Sequence, residues 1–420
     1  MATFNLRRFA SPDALKSIQE ENLRGLLSRH AAYFKKRGVE LNGAAPSRVA
    51  EPLAPYGDSP APAAEHNGLD YETLAGVLVT PDDDTPPALV DALYMIHEMS
   101  TDESMQVLLD ANANLPEKDR INFNGASDLT PADVAILVSL RAPELLERKH
   151  AEQFVGERKS FEYYLSNEPP TGAFKTPLRA KIEALEQELG QWFASKKKGN
   201  VVRVFVYAKP DEVWFLVRHG DAFRREGAVK SGQSSSVFFR PEKHDLLVYN
   251  PAIGEMRINA GSKGEKELYR RSFGKHLFSG EAHFPSSNRK YTLDPLKADG
   301  PNSIVCTDVS GIDSIQLTEV TYFWGGAQNE IEVRRAGDIF AALKERDRKI
   351  QNTRIIGARF RMKFSDSKTP RSVNIRPPNV AKFTRDDDGK LVEEWLKKRG
   401  FSSTKRQEAN AEDRAPVARA

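Results

Sequence analysis

Apolar residues change their period along this chain, and the change divides it. Over roughly the first 170 residues they recur at three and four, as in Leu89, Val90, Leu93 and Ile96, the spacing of one helical face. Ser11-Pro12, Thr85-Pro86 and Thr130-Pro131 mark helix starts. The hydroxyl can cap an orphan amide, and proline is tolerated in a first turn because its missing N–H had no intrahelical partner. Thr130-Pro131-Ala132-Asp133 has capping-box spacing with Asp at the third position. A first helix is expected over about 12–38. Residues 43–69, rich in Pro, Ala and Gly without apolar periodicity, read as a flexible linker. Thr176-Pro177 is expected to open a long helix carrying Leu178, Ile182, Leu185, Leu189, Trp192 and Phe193, with Lys196, Lys197 and Lys198 at its C-terminus.

From Val201 the texture becomes that of strands. Val201–Ala208, Val213–Arg218, Val237–Phe239, Leu246–Tyr249, Met256–Ile258, Ser303–Cys306, Ile315–Trp324 and Ile331–Val333 are short, β-branched or aromatic, and bounded by turn residues. Asn250-Pro251-Ala252-Ile253-Gly254-Glu255 is a hairpin connection. A short helix over 337–350 leads to strands 355–364 and 372–376, the second stopped by Pro377-Pro378. A last helix over 389–399 ends at Gly400, a left-handed cap on which Phe401 should fold back. The fold class is therefore α+β: a helical N-terminal domain, a β-rich, largely antiparallel middle domain, and a C-terminal basic β-hairpin plus helix. The expected boundaries are 1–42 for the first helix, 43–69 for the linker, 70–198 for the helical domain and 199–335 for the β-rich domain. Residues 336–401 form the hairpin and helix packed on it, and 402–420 a disordered tail.

At 420 residues two or three domains are the prior, and 39% apolar content suffices for real cores. No apolar run reaches the roughly 18–20 residues needed to span a bilayer, and the N-terminus lacks an apolar signal region. No membrane role is expected, and the chain reads as cytoplasmic and bacterial. Cys306 is the sole cysteine, which excludes an intramolecular disulfide and any multi-cysteine metal site.

The net charge of +3 hides a split, with residues 51–140 summing to −15 and 171–420 to +14. The acidic block is a solvated face or a docking surface for a protein partner. The basic load concentrates between Lys344 and Lys382, where twelve Lys/Arg meet only three acids. In strand 356–364, Ile356, Ala358, Phe360, Met362 and Phe364 fall on one face and Arg359, Arg361 and Lys363 on the other. Val373 and Ile375 likewise oppose Asn374 and Arg376. Paired as a hairpin, Arg359, Arg361, Lys363, Asn374 and Arg376 share one surface. Such a row suits nucleic acid, DNA or RNA, because each neutralised phosphate releases counterions and Asn or Arg can reach base edges. A plain solvated face and an acidic protein partner are the other readings of the same row.

Two further constellations carry chemistry. His219, His244, His276 and His283, with Asp221, Asp245 and Glu281 nearby in sequence, contain metal-ligand and acid–base types without ligand spacing. Asp245 on one strand and Glu255-Met256-Arg257 on the next resemble the PD-(D/E)xK nuclease arrangement, which implies carboxylates holding Mg and a cation steadying the attacked phosphate. Arg257 stands where that pattern has Lys, Glu255 sits at the turn, and the leading Pro-Asp is missing. Nucleotide-loop, zinc-protease and serine-hydrolase motifs are all absent. The leading expectation is a non-enzymatic nucleic-acid-binding or regulatory subunit with no cofactor. A metal-dependent nuclease using Asp245, Glu255 and Arg257, and a scaffold subunit of a bacterial multi-protein assembly, are the alternatives.

Overall fold

A computed structural model describes residues 6–41, 68–82, 84–123, 129–155, 160–170, 174–230, 232–278, 280–287, 289–384 and 388–403. The linker expected over 43–69 and the tail expected from 402 lie almost wholly outside them. Contacts divide the chain into two compact units, Met1–Gln153 with Lys230–Gln233, and Phe154–Val229 with Ser234–Ala420.

The first unit is helical: α1 Pro12–Lys16, α2 Glu20–Ser28, α3 Ala31–Lys35, α4 Tyr71–Val79, α5 Pro87–Glu98, α6 Asp102–Ala113, α7 Pro131–Arg141 and α8 Pro143–Gln153. Its core gathers Phe9, Leu23, Leu27, Phe34, Leu74, Ile96, Leu108, Val134 and Ile136. The capping box at Thr130 and Asp133 forms as its spacing requires. Asp133 is fully buried, and its Oδ1 also accepts from the Gln19 amide (2.8 Å) and Asn22 Nδ2 (2.9 Å). One carboxylate thus caps the start of α7 and anchors the start of α2. The single helix expected over 12–38 is instead three short ones, α1 to α3, because Gln19 (φ −59°, ψ 128°) and His30 (φ −124°, ψ 26°) leave the helical conformation between them. Thr85 does not cap α5; its Oγ1 accepts from the Asp82 amide and Pro86 takes the cap position.

The second unit is built on one ten-stranded sheet. Its strands are β1 Ser160–Leu165, β2 Val202–Ala208, β3 Val213–Gly220, β6 Glu242–Asn250, β7 Glu255–Asn259, β8 Ile312–Gly325, β9 Glu330–Arg335, β10 Arg354–Phe364, β11 Arg371–Arg376 and β12 Val380–Lys382. They lie in the order β2-β3-β6-β7-β1-β12-β11-β10-β8-β9. Strands β4 Arg224–Lys230 and β5 Gln233–Phe239 pair separately. Helices α9 Arg179–Ser195 and α10 Lys263–Leu277 cover one face at the β2 end, burying Leu185, Leu189 and Phe193 with Val204, Phe215, Val217, Leu247, Met256, Ile258, Tyr269 and Phe273. The smaller helices are α11 Pro295–Ala298, α12 Ile339–Lys344 and α13 Asp388–Lys398. Gly400 adopts φ 72° after α13, the Phe401 amide donates to Leu396 O (2.9 Å), and Gly400 N to Lys397 O (3.2 Å). That is the left-handed cap expected there, and buried Phe401 packs on Phe360 and Trp395.

The mixed α+β class and the antiparallel sheet therefore stand as expected, and three local readings change. Ser160–Leu165 is a central strand, so the sheet unit begins at Phe154 and takes in α9, well before the expected boundary at 198. Ser303–Cys306, expected as a strand, is not one: Ser303 and Ile304 close a 3-10 helix, Gly300–Ile304, with Pro301 in its first turn. Helix α9 starts at Arg179, leaving Leu178 exposed. No helix among the described residues is long and apolar enough to cross a membrane.

Candidate nucleic-acid interface

Strands β10 and β11 pair antiparallel with Ala358 opposite Ile375, Arg359 opposite Asn374, Phe360 opposite Val373 and Arg361 opposite Ser372. Directly opposed side chains share a face. Phe360, Met362, Phe364, Val373 and Ile375 are buried on one side, and Phe360 meets the Trp395 ring edge-on at 5.2 Å. Ile355 is buried in place of Ile356, because a register shift between Ile355 and Gly357 turns the start of β10 by one residue. The opposite side carries Arg359, Arg361, Lys363, Asn374 and Arg376 together, as the alternation requires.

The same face runs on through the sheet. Asn374 lies opposite Lys382 and Arg376 opposite Val380, while Arg359 lies opposite Glu319, itself opposite Arg335. Beyond them Thr321 faces Val333 and Phe323 faces Ile331. Arg359, Arg361, Ser372, Arg376 and Lys382 are all exposed. Ile331 and Val333 are 56% and 48% exposed, and Phe323 is half-buried. An apolar strip therefore borders a field of guanidinium groups. In the other direction Glu162 lies opposite both Val380 and Ile258, so this is the face that α10 covers farther along. At that border Lys266 of α10 meets Glu162 at 3.0 Å.

Neighbouring groups hold the cations in place. Arg359 Nε donates to Asn374 Oδ1 (2.8 Å), and its guanidinium lies 3.7 Å from Glu319, which pairs more closely with Arg335 (2.6 Å). Arg361 donates to Gln316 Oε1 through Nε (3.0 Å) and a terminal nitrogen (2.5 Å). Each keeps further donors, since a guanidinium has five. Lys363 differs: its ammonium donates to the carbonyls of Phe364 (2.9 Å) and Ser367 and lies 3.6 Å from Asp313. It closes the end of β10, with its ammonium held by backbone carbonyls. Lys382 joins the face through β12, a strand with no signal of its own because three residues after Pro377-Pro378 are too few to show a period.

Asp245 and Glu255 do not share a site. In the β6–β7 register Asn250 faces Glu255, so Asp245 stands five residues, about 17 Å, back along its strand. An odd offset also puts the two carboxylates on opposite faces. Asp245 Oδ2 accepts from Tyr269 Oη (2.8 Å) and lies 3.1 Å from His219 Nε2, whose ring stacks on Phe193 at 4.0 Å. His219 Nδ1 lies 2.7 Å from Gly220 O, so both ring nitrogens face oxygens. His219, Asp245 and Glu265 offer ligand atoms within 4.8 Å of one another, a spacing that would fit a metal ion. Lys198 already sits 2.6 Å from Glu265 and 3.5 Å from Asp221, so an ammonium supplies the positive charge there. The four histidines do not converge. His244 stacks on Phe154, His276 lies 2.9 Å from Glu188, and His283 stacks on Phe278. Glu255 instead takes both carboxylate oxygens to Lys290 Nζ (2.8 Å each), and Arg257 pairs with Glu212. The nuclease-like arrangement is thereby split between two places.

No protein-family model matches the chain, and no curated protein matches it in sequence.

Proposed function

We propose that the chain binds a single nucleic-acid strand across the open sheet face formed by β12, β11, β10, β8 and β9. The observation that carries the reading is the shared exposed face of Arg335, Arg359, Arg361, Arg376 and Lys382 beside Phe323, Ile331 and Val333, with Glu319 the acid set among them. Cations answer phosphates, and an adjoining apolar strip gives unstacked bases a surface. Asn374 and Gln316 add amides able to read base edges. Scale favours a strand over a duplex groove. Five strands at about 4.8 Å spacing span about 19 Å, wider than a major groove of about 12 Å.

The test is fluorescence anisotropy with labelled single-stranded and duplex oligonucleotides of DNA and RNA over a salt series. Binding should be tighter for single strands and should fall linearly in log–log form with salt. Absence of salt-dependent binding to every oligonucleotide at low ionic strength would overturn the proposal.

A further inference from the structure

The opposite face of the sheet holds a cleft of about 320 Å³ between the β6–β7 turn, Lys290-Tyr291 and α13. The volume equals roughly ten waters, the scale of a small metabolite. Its floor is charged and buried. Glu255 and Arg257 are 5% and 7% exposed, and Tyr291 is 4% exposed. The Glu255 carboxylate is neutralised by Lys290, whose ammonium also lies 4.1 Å from the Tyr163 ring centre. Arg257 is gripped by Glu212 and lies 3.7 Å from Glu393, a residue of α13 that is 42% exposed.

Two buried groups that line this cleft lack a hydrogen-bond partner among the described residues: Arg257 Nε and Tyr291 Oη. Buried polar groups are nearly always paired, so each orphan asks for an explanation. Both are donors. Burial, with Glu255 and Glu393 next in effect, raises the Tyr291 pKa well above the ordinary phenol, so the hydroxyl keeps its proton. An acceptor is what the floor lacks. Arg257 is always charged, so an anionic oxygen suits it better than a neutral one. Lys397 adds a cation to the lining, and Glu394 an acid that is paired with Lys398 (2.7 Å).

We propose that this cleft is a binding site for a small oxyanion-bearing molecule, a carboxylate or a phosphate, seated against Arg257 and Tyr291. Glu393 occupies the approach to Arg257 and must turn outward as the anion enters. The site is independent of the nucleic-acid reading, because Glu255 and Arg257 stand on the face opposite Arg359 and Asn374.

The test is isothermal titration calorimetry of the full chain with inorganic phosphate and, separately, with malonate. At least one should bind saturably, and the arm that titrates gives the ligand class. Tyr291→Phe keeps the ring and removes only the donor, so affinity should fall about tenfold, the effect of one charge-assisted hydrogen bond. Glu393→Gln removes the competing carboxylate from an exposed position and should tighten binding. Absence of saturable binding by either anion overturns the proposal, as does equal affinity in Tyr291→Phe or weaker binding in Glu393→Gln. Anion contacts on the basic face would leave the Tyr291→Phe comparison unchanged, so they cannot mimic the result.

Discussion

Neutralising the open face tests the nucleic-acid reading most directly. In Arg359→Gln/Arg361→Gln/Arg376→Gln three cations disappear from one surface while Phe360, Val373 and Ile375 stay buried behind it. For a single strand each lost phosphate contact reduces the salt slope by about 0.7, so three should reduce it by about 2. At 0.1 M salt the same term weakens binding by about a hundredfold relative to extrapolation at 1 M. Stability should scarcely move. Arg359 and Arg361 are exposed, and Glu319 retains Arg335 at 2.6 Å when Arg359 is gone. Exposed pairs of this kind are worth about 0–1 kcal/mol. Lys363→Gln is the internal control: its ammonium is spent on two backbone carbonyls, so the slope should change by well under 0.7. The assay is anisotropy across a salt series, with a thermal melt of each variant alongside. A folded triple variant with wild-type slope and affinity refutes the reasoning, and so does a Lys363→Gln effect as large as one of the three.

Three other outcomes follow from the packing and the charges. Phe360→Ala should cost about 3–5 kcal/mol in urea denaturation, because it opens a cavity against Trp395 and Phe401; a loss below about 1 kcal/mol would mean those rings do not depend on it. Thr130→Ala removes one cap and should cost about 1 kcal/mol, whereas Asp133→Ala should cost more, since it also strands the Gln19 amide and Asn22; equal losses would contradict the shared role. On acidification, Asp221 is held down to about 2 from 3.8, chiefly by its hydrogen bond to Lys243. Glu188 is likewise at about 2 from 4.5, where Lys275, Ser272 and His276 outweigh burial. A carboxylate with its folded pKa below the unfolded one stabilises the fold above the unfolded value and loses that contribution as pH falls through the folded one. Stability should therefore drop between about pH 4.5 and 2, and Lys243→Met should flatten that limb of the pH–melting curve.

What was legible in the sequence follows the contrast between the two sides of each element. Strands β10 and β11 bury Phe, Met, Val and Ile on one face and present Arg, Lys and Asn on the other, so period two shows through, and the face they form is the one expected. Helix α10 shows the opposite case. It buries Glu265, Arg270, Ser272 and Gly274 beside Tyr269 and Phe273, so its inner face is half polar and the apolar period is diluted. Those polar groups also reach distant partners that no local pattern announces: Glu265 meets Lys198, Arg270 the Phe284 carbonyl and Ser272 Glu188. Gly274 is there because the Gly280 carbonyl would come within 2.6 Å of any Cβ. A local signal for its start does exist in Ser262-x-x-Glu265, a capping box that the structure forms in full. Trp324, the last residue of the strand expected over Ile315–Trp324, is 44% exposed, because β8 reaches its last residues beside the edge strand β9.

The sites divide along the same line. A face made by one hairpin is a local property, fixed once alternation and a turn are known. Pairing Asp245 with Glu255 also used one hairpin, but the inference needed the register as well as the connection. The turn Asn250–Glu255 sets that register, and it sets the carboxylates an odd number of positions apart. One residue's difference in loop length would have put both acids on one face, though still far apart along it. The cleft at Arg257 was out of reach for a different reason. Its walls come from β7, from Lys290-Tyr291 and from α13, segments separated by more than thirty residues at each step. The two donors that mark it are ordinary in sequence and become unusual only when burial removes the water that would otherwise satisfy them.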